Sequence, residues 1–132
     1  TNVTDKGNLL GGAADYVIRD IAGVKVGFFG IVTPETARLS NPGPDIAFGP
    51  HLETARTAVR VLGERGAEVV VALTHLNLAE DREIARTVPG IALILGGHDH
   101  GDGVAVVPLQ ITERRQLTRR GCTQQLPQWR LQ

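Results

Sequence analysis

A second cysteine is missing. Cys122 stands alone, which excludes an internal disulfide without fixing the compartment. No apolar run reaches the roughly 18 residues of a membrane span, and no charged-apolar-small signal segment is present. The first residue is Thr1, as expected of a chain from which a leader or more has been removed. Charge of one sign is also lacking. Fourteen Lys and Arg balance fourteen Asp and Glu, so net charge calls for no acidic partner. No repeat occurs at a solenoid period. What remains is a chain of 132 residues, the size of one domain and long enough to bury about two-thirds of its unfolded surface. Its 16 glycines and 7 prolines fit a compact protein with many tight loops.

Thr1 to Ala14 is polar, glycine-rich and without period, and reads as an irregular arm. Tyr16 to Ile21 and Val24 to Val32 are strand-like, and Ala22-Gly23 between them suits a two-residue hairpin. The second strand is the more apolar and is expected at the centre of a sheet. Thr33-Pro34-Glu35-Thr36 predicts a brief helical turn, cut short by Asn41-Pro42-Gly43-Pro44. Leu52, Ala55, Val59 and Leu62 recur at helical spacing, giving an amphipathic helix over about 51 to 65, with Gly66 as its stop. A strand from Glu68 to His75 follows, then a shorter helix near Asp81 to Thr87, ended by Pro89-Gly90. Ile91 to Leu95 is a continuously apolar strand, read as buried on both faces. Gly103 to Ile111 can form one more.

Strand, helix and strand in that order make the two strands parallel, with both C-terminal ends on one rim of the sheet. The first ends in His75. The second runs into Gly96-Gly97-His98-Asp99-His100, where the glycines permit a sharp turn and a close approach. His75, His98 and His100 therefore converge where open α/β sheets place their ligands. Adjacent strands lie about 4.8 Å apart and a zinc–nitrogen bond is about 2.0–2.1 Å, so these imidazoles can meet on one ion, or on two close together. Alone, His75 reads as a hydrogen-bonded strand-end histidine. A structural turn, however, has no need of the two imidazoles His98 and His100. Asp99 points away from its neighbours and reads as a supporting or solvated residue. His51 opens a helix and reads as a surface residue.

Gly30-Ile31-Val32-Thr33-Pro34-Glu35-Thr36, then Ala72-Leu73-Thr74-His75-Leu76, Asp81 and Gly96-Gly97-His98-Asp99-His100 together resemble the 5′-nucleotidase branch of the calcineurin-like metallophosphoesterases. The likeness covers about residues 1 to 104 in order and spacing. It implies an α/β sandwich with a mainly parallel sheet flanked by helices, holding two divalent ions (Zn, Mn or Fe) at its strand tips. It implies water activated at those ions attacking the phosphorus of a nucleotide or related phosphate ester. By motif, His75 and His98 would bind one ion and His100 the other. Members of the family are often periplasmic or extracellular.

The family's Asp-x-His, its bridging aspartate and its Asn-His pair, source of the general acid, are not found here. Thr1-Asn2-Val3 resembles the segment just after that pair. A partial catalytic domain is expected over residues 1–108, with no catalytic acid, at most one ion and weak or absent phosphatase activity. Its missing strands would leave an apolar sheet edge and favour self-association. The base-gripping C-terminal domain is absent too, and Asn77 stands where a glycine is usual. Residues 109–132 form a divergent tail in which Arg114, Arg115, Arg119, Arg120 and Arg130 face only Glu113. A nucleic-acid patch is the weaker reading of those charges, and none is expected.

Two other readings compete. His98-Asp99-His100-Gly101-Asp102 spells H-x-H-x-D, which resembles the zinc loop of metallo-β-lactamase-fold hydrolases, although Gly103 replaces the usual histidine and none follows His100. The chain could also be a non-catalytic or degenerate α/β module that keeps a remnant metal site.

Overall fold

The computed structural model describes residues 1–98, and residues 105–108 by their backbone. His100, Asp99, Cys122 and the arginine-rich segment beyond 108 lie outside the described residues.

The larger of two sheets is built from β3 (Tyr16–Ile21), β4 (Val24–Val32), β6 (Val69–His75), β7 (Leu93–Gly96) and β8 (Ala105–Pro108), hydrogen-bonded in that order. The run β4–β6–β7 is parallel, and β3 and β8 add an antiparallel strand at each side. The β3–β4 turn is the two-residue hairpin expected. Ala22 and Gly23 both have positive φ (52° and 80°), as a type I′ turn requires, and Gly23 N donates to Asp20 Oδ1 at 2.8 Å. β4 lies between β3 and β6, where its apolar character predicts it.

The crossovers are α2 (His51–Glu64), between β4 and β6, and α3 (Leu78–Thr87), between β6 and β7. Strand alternation puts Phe29, Ala72 and Ile94 side by side on one face, since Phe29 pairs with Ala72 and Ala72 with Ile94. Ala55, Ala58 and Leu62 of α2 and Ile84 of α3 close over that face and complete a single core. The other face carries Val26, Phe28, Val69, Val71, Leu73, Leu93 and Leu95, and no helix among the described residues packs on it. Leu73 there is 45% exposed, Val71 is buried, and Val26, Phe28, Val69, Leu93 and Leu95 are half-buried. The strand Ile91 to Leu95 is thus buried on one face, not both, because its helices lie on one side. The edges of this sheet are β3, whose Arg19, Asp20 and Ile21 are exposed, and β8.

Thr1 to Ala14 is not an irregular arm. It contains β1 (Val3–Asp5) and β2 (Asn8–Leu9), which join β5 (Ile46–Phe48) in a small antiparallel sheet of order β2-β1-β5. Strands this short lack a readable period, and pairing Val3 with Phe48 is a long-range event. The brief helix after Thr33-Pro34 is α1 (Thr36–Ser40), stopped by Asn41 in the left-handed region at φ 45°.

α3 begins at Leu78, three residues before the expected start near Asp81. Asn77 is its cap: Oδ1 accepts from Glu80 N at 3.0 Å while Glu80 Oε2 accepts from Asn77 N at 3.1 Å. That early start has a consequence for His51. Its side chain is 19% exposed and faces Glu80 (Nδ1–Oε1 3.9 Å) and Glu83 (Nε2–Oε2 3.8 Å), so it is a half-buried link between α2 and α3 and not a surface residue.

Candidate metal centre

His75 is the last residue of β6, and its register partner on β4 is Val32. Thr33 N donates to His75 O at 3.0 Å, so the backbone carrying this imidazole is held from the β4 side beyond the ladder. On the opposite side Gly96 pairs with Thr74, and Gly97 N donates to Thr74 O at 3.1 Å. β7 thus turns toward β6 at its C-terminal end and delivers His98 beside His75.

The two glycines do different things. A Cβ at Gly96 would overlap Asp81 Oδ2 and stand 3.2 Å from Thr74 Oγ1, so this position has no space for a side chain. That is the close approach the sequence led us to expect. Gly97 has open space around it and no positive φ, so neither sterics nor backbone demands glycine there.

His98 Nδ1 and His75 Nε2 are 3.2 Å apart, with ring centroids at 4.9 Å and planes at 83°. Two nitrogens bound tetrahedrally to one zinc at about 2.0–2.1 Å stand about 3.3 Å apart, so this pair has the spacing of two ligands on one ion. With no ion between them, the same distance suits an N–H···N hydrogen bond whose donor is set by the tautomers. His75 is exposed and His98 half-buried, leaving the pair open to solvent. No group of three His, Cys, Asp or Glu is placed to hold an ion among the described residues. His100, the third expected ligand, lies outside them.

Sequence reasoning missed the cap at Asn77, although N-x-x-E before an apolar position is its recognised signature. It also missed Asn2, 4% exposed, whose side chain ties the first residues to the end of β4 next to His75.

His75 and His98 thus lie on the C-terminal rim of the parallel strands, the side on which open α/β sheets place their ligands. Known proteins specify the fold further. The chain is 41% identical over 90 residues to the trifunctional nucleotide phosphoesterase protein YfkN of Bacillus subtilis, covering 67% of this chain and 6% of that protein. It is 35% identical over 101 residues to the snake venom 5′-nucleotidase of Crotalus adamanteus, covering 74% of this chain and 17% of that one. Its fold matches the crystal structure of a 5′-nucleotidase precursor from Thermus thermophilus with a TM-score of 0.67 and 39% identity, over 74% of this chain and 20% of that chain. No family model matches the sequence. The chain belongs to the 5′-nucleotidase branch of the calcineurin-like metallophosphoesterases. It spans a fifth or less of the length of each of these three relatives.

Proposed function

We propose that this chain is a section of a binuclear-metal phosphoric ester hydrolase acting on nucleotides, and that His75 and His98 are ligands of one of its ions. The observation that supports this is the 3.2 Å approach of His98 Nδ1 to His75 Nε2 at the strand rim. His100 follows two residues later and is assigned to the second ion by motif alone. Nucleotide substrates are named for the relatives, and the class of reaction comes to this chain through them.

A divalent ion at such a site supplies a Lewis acid for a phosphoryl oxygen and lowers the pKa of water. The described residues contribute orientation. β6 and β7 fix the two imidazoles that would hold such an ion, at a rim that is open to solvent. Two neutral imidazoles bring no negative charge to retain a second cation. By itself, then, the chain holds at most one ion (Zn, Mn or Fe) and is a weak or inactive phosphatase.

Equilibrium titration with Zn²⁺ or Mn²⁺, together with hydrolysis of p-nitrophenyl phosphate, tests this. One ion or fewer per chain, lost in His75→Ala and in His98→Ala, and turnover at background are expected. Two tightly held ions, or robust turnover abolished by His98→Ala, would overturn the single-ion reading. Binding unchanged in both variants would overturn the ligand assignment itself.

A further inference from the structure

We propose that Asp81 is a positioning residue for the His75–His98 pair: its buried carboxylate, seated against Gly96, holds the end of β7 where His98 meets His75. This rests on reading that pair as part of a metal centre and adds to it the side chain that keeps it in register.

Asp81 is 1% exposed and sits in the first turn of α3, where its N–H donates to Asn77 O at 3.1 Å. Only Leu76 and the cap Asn77 separate His75 from that helix. The carboxylate is therefore tied by a short, capped connection to the segment that carries one of the two imidazoles.

From there the carboxylate reaches across to β7. A Cβ on Gly96 would overlap Asp81 Oδ2 and come within 3.4 Å of Asp81 Cγ, and it would lie 3.2 Å from Thr74 Oγ1. Asp81 thus fills the space below the Thr74–Gly96 rung, the last rung of the β6–β7 ladder. His75 is one residue beyond one end of that rung, and His98 two residues beyond the other. Thr33 already holds the His75 backbone from β4. A shift of the Gly96 end consequently moves His98 and leaves His75 in place. The fit is reciprocal: Gly96 has no side chain because the carboxylate occupies its place, and the carboxylate stays because Gly96 leaves it room.

The test uses the full chain with two readouts, one of them independent of metal. The first is the nuclear Overhauser effect between the ring protons of His75 and His98 in metal-free protein. The second is the affinity for Zn²⁺ alone. Wild type is expected to show the cross-peak. Asp81→Ala should lose it and weaken Zn²⁺ binding about 10-fold or more, the scale typical of residues that orient ligands, with far-UV circular dichroism retained. Asp81→Asn, of the same shape, should keep both. Gly96→Ala should lose both, and the double variant Asp81→Ala/Gly96→Ala should recover part of each as the new methyl takes the vacated space. A wild-type cross-peak in a folded Asp81→Ala variant overturns the proposal, as does a wild-type chain that lacks the cross-peak. Should Asp81→Ala fail to fold, an unchanged cross-peak in Gly96→Ala overturns it instead. If the cross-peaks respond as stated while wild type ignores Zn²⁺, the metal reading fails and the positioning role stands.

Discussion

The side-chain amide of Asn2 pairs with the backbone of Val32 as a neighbouring strand would: Oδ1 accepts from Val32 N at 2.9 Å and Nδ2 donates to Val32 O at 2.7 Å. Nδ2 also donates to Gly49 O at 3.1 Å, and Gly49 N donates to Asn2 O at 2.7 Å. One buried residue thereby fastens the small sheet to the end of β4. Val32 is the register partner of His75, so the same bonds brace the strand beside the candidate site. Asn2→Ala leaves the Val32 N–H and C=O without these partners. A loss of about 2–3 kcal/mol is expected from urea unfolding. Asn2→Asp should be no better, because a carboxylate cannot donate to the two carbonyls.

The β3–β4 hairpin offers a gain. Ala22 holds φ at 52°, a conformation that costs a residue with a Cβ about 1 kcal/mol and that asparagine tolerates better. Ala22→Asn produces Asn-Gly, the sequence best suited to a type I′ turn. It should raise stability by about 0.5–1 kcal/mol in the same unfolding assay, with the ends of β3 and β4 unchanged in their amide spectra.

Asn77, read from the sequence as replacing a usual glycine, has a physical role in the structure. The residue is the cap of α3, a position at which asparagine and glycine are both accepted. Asn77→Gly is expected to cost a few tenths of a kcal/mol, and Asn77→Ala about 1 kcal/mol. If Asn77→Ala costs nothing measurable, the bond from Glu80 N to Asn77 Oδ1 contributes little in solution.

The order of the α/β core was legible because its signals are local. Leu52, Ala55, Val59 and Leu62 mark the helix that became α2, and the apolar run ending in His75 marks β6. Two parallel strands joined by a helix must end on the same rim, which is why the sequence alone brings His75 and His98 together. The N-terminal segment was not legible. Val3 finds its partner in Phe48, and nothing within a short window announces a pairing of that separation. Gly96 was legible as a close approach, but not what approaches it, since Asp81 arrives from a helix fifteen positions earlier. The burial of Ile91 to Leu95 on both faces was overread for a related reason. An apolar run shows that a strand has an apolar surface on each side, not whether both sides are covered.

The face carrying Leu73 makes a prediction of its own. Ile94 and Leu73 are on neighbouring parallel strands and opposite faces, Ile94 fully buried and Leu73 45% exposed. Ile94→Ala removes atoms from the closed core and should cost about 2–5 kcal/mol. Leu73→Lys places its charge at an open surface and should leave the unfolding midpoint nearly unchanged. Leu73 is exposed among half-buried apolar neighbours, and exposed apolar side chains favour association. Sedimentation of the wild-type chain is therefore expected to show concentration-dependent oligomers, and Leu73→Lys to move them toward monomer. A wild-type chain that sediments as a clean monomer would remove this reading of the open face.

Zinc should act on stability as well as on any chemistry, and this separates a real pair of ligands from a hydrogen-bonded pair of imidazoles. An ion bound only by the folded chain stabilises it by about 2.7 kcal/mol at a free concentration one hundred times its Kd. The folded state holds His98 Nδ1 and His75 Nε2 at 3.2 Å, a preorganisation that an unfolded chain lacks. Thermal melts with added Zn²⁺ should accordingly rise in wild type, and stay flat in His75→Ala and in His98→Ala. Protons compete with metal for the imidazole nitrogens, so the Zn²⁺-dependent part of the shift should shrink on acidification. His51 is the control: linked to Glu80 and Glu83, it is expected to leave the zinc response intact as His51→Ala. A zinc-dependent rise that survives both His75→Ala and His98→Ala would place the ion elsewhere in the chain and return the pair to the role of a hydrogen bond.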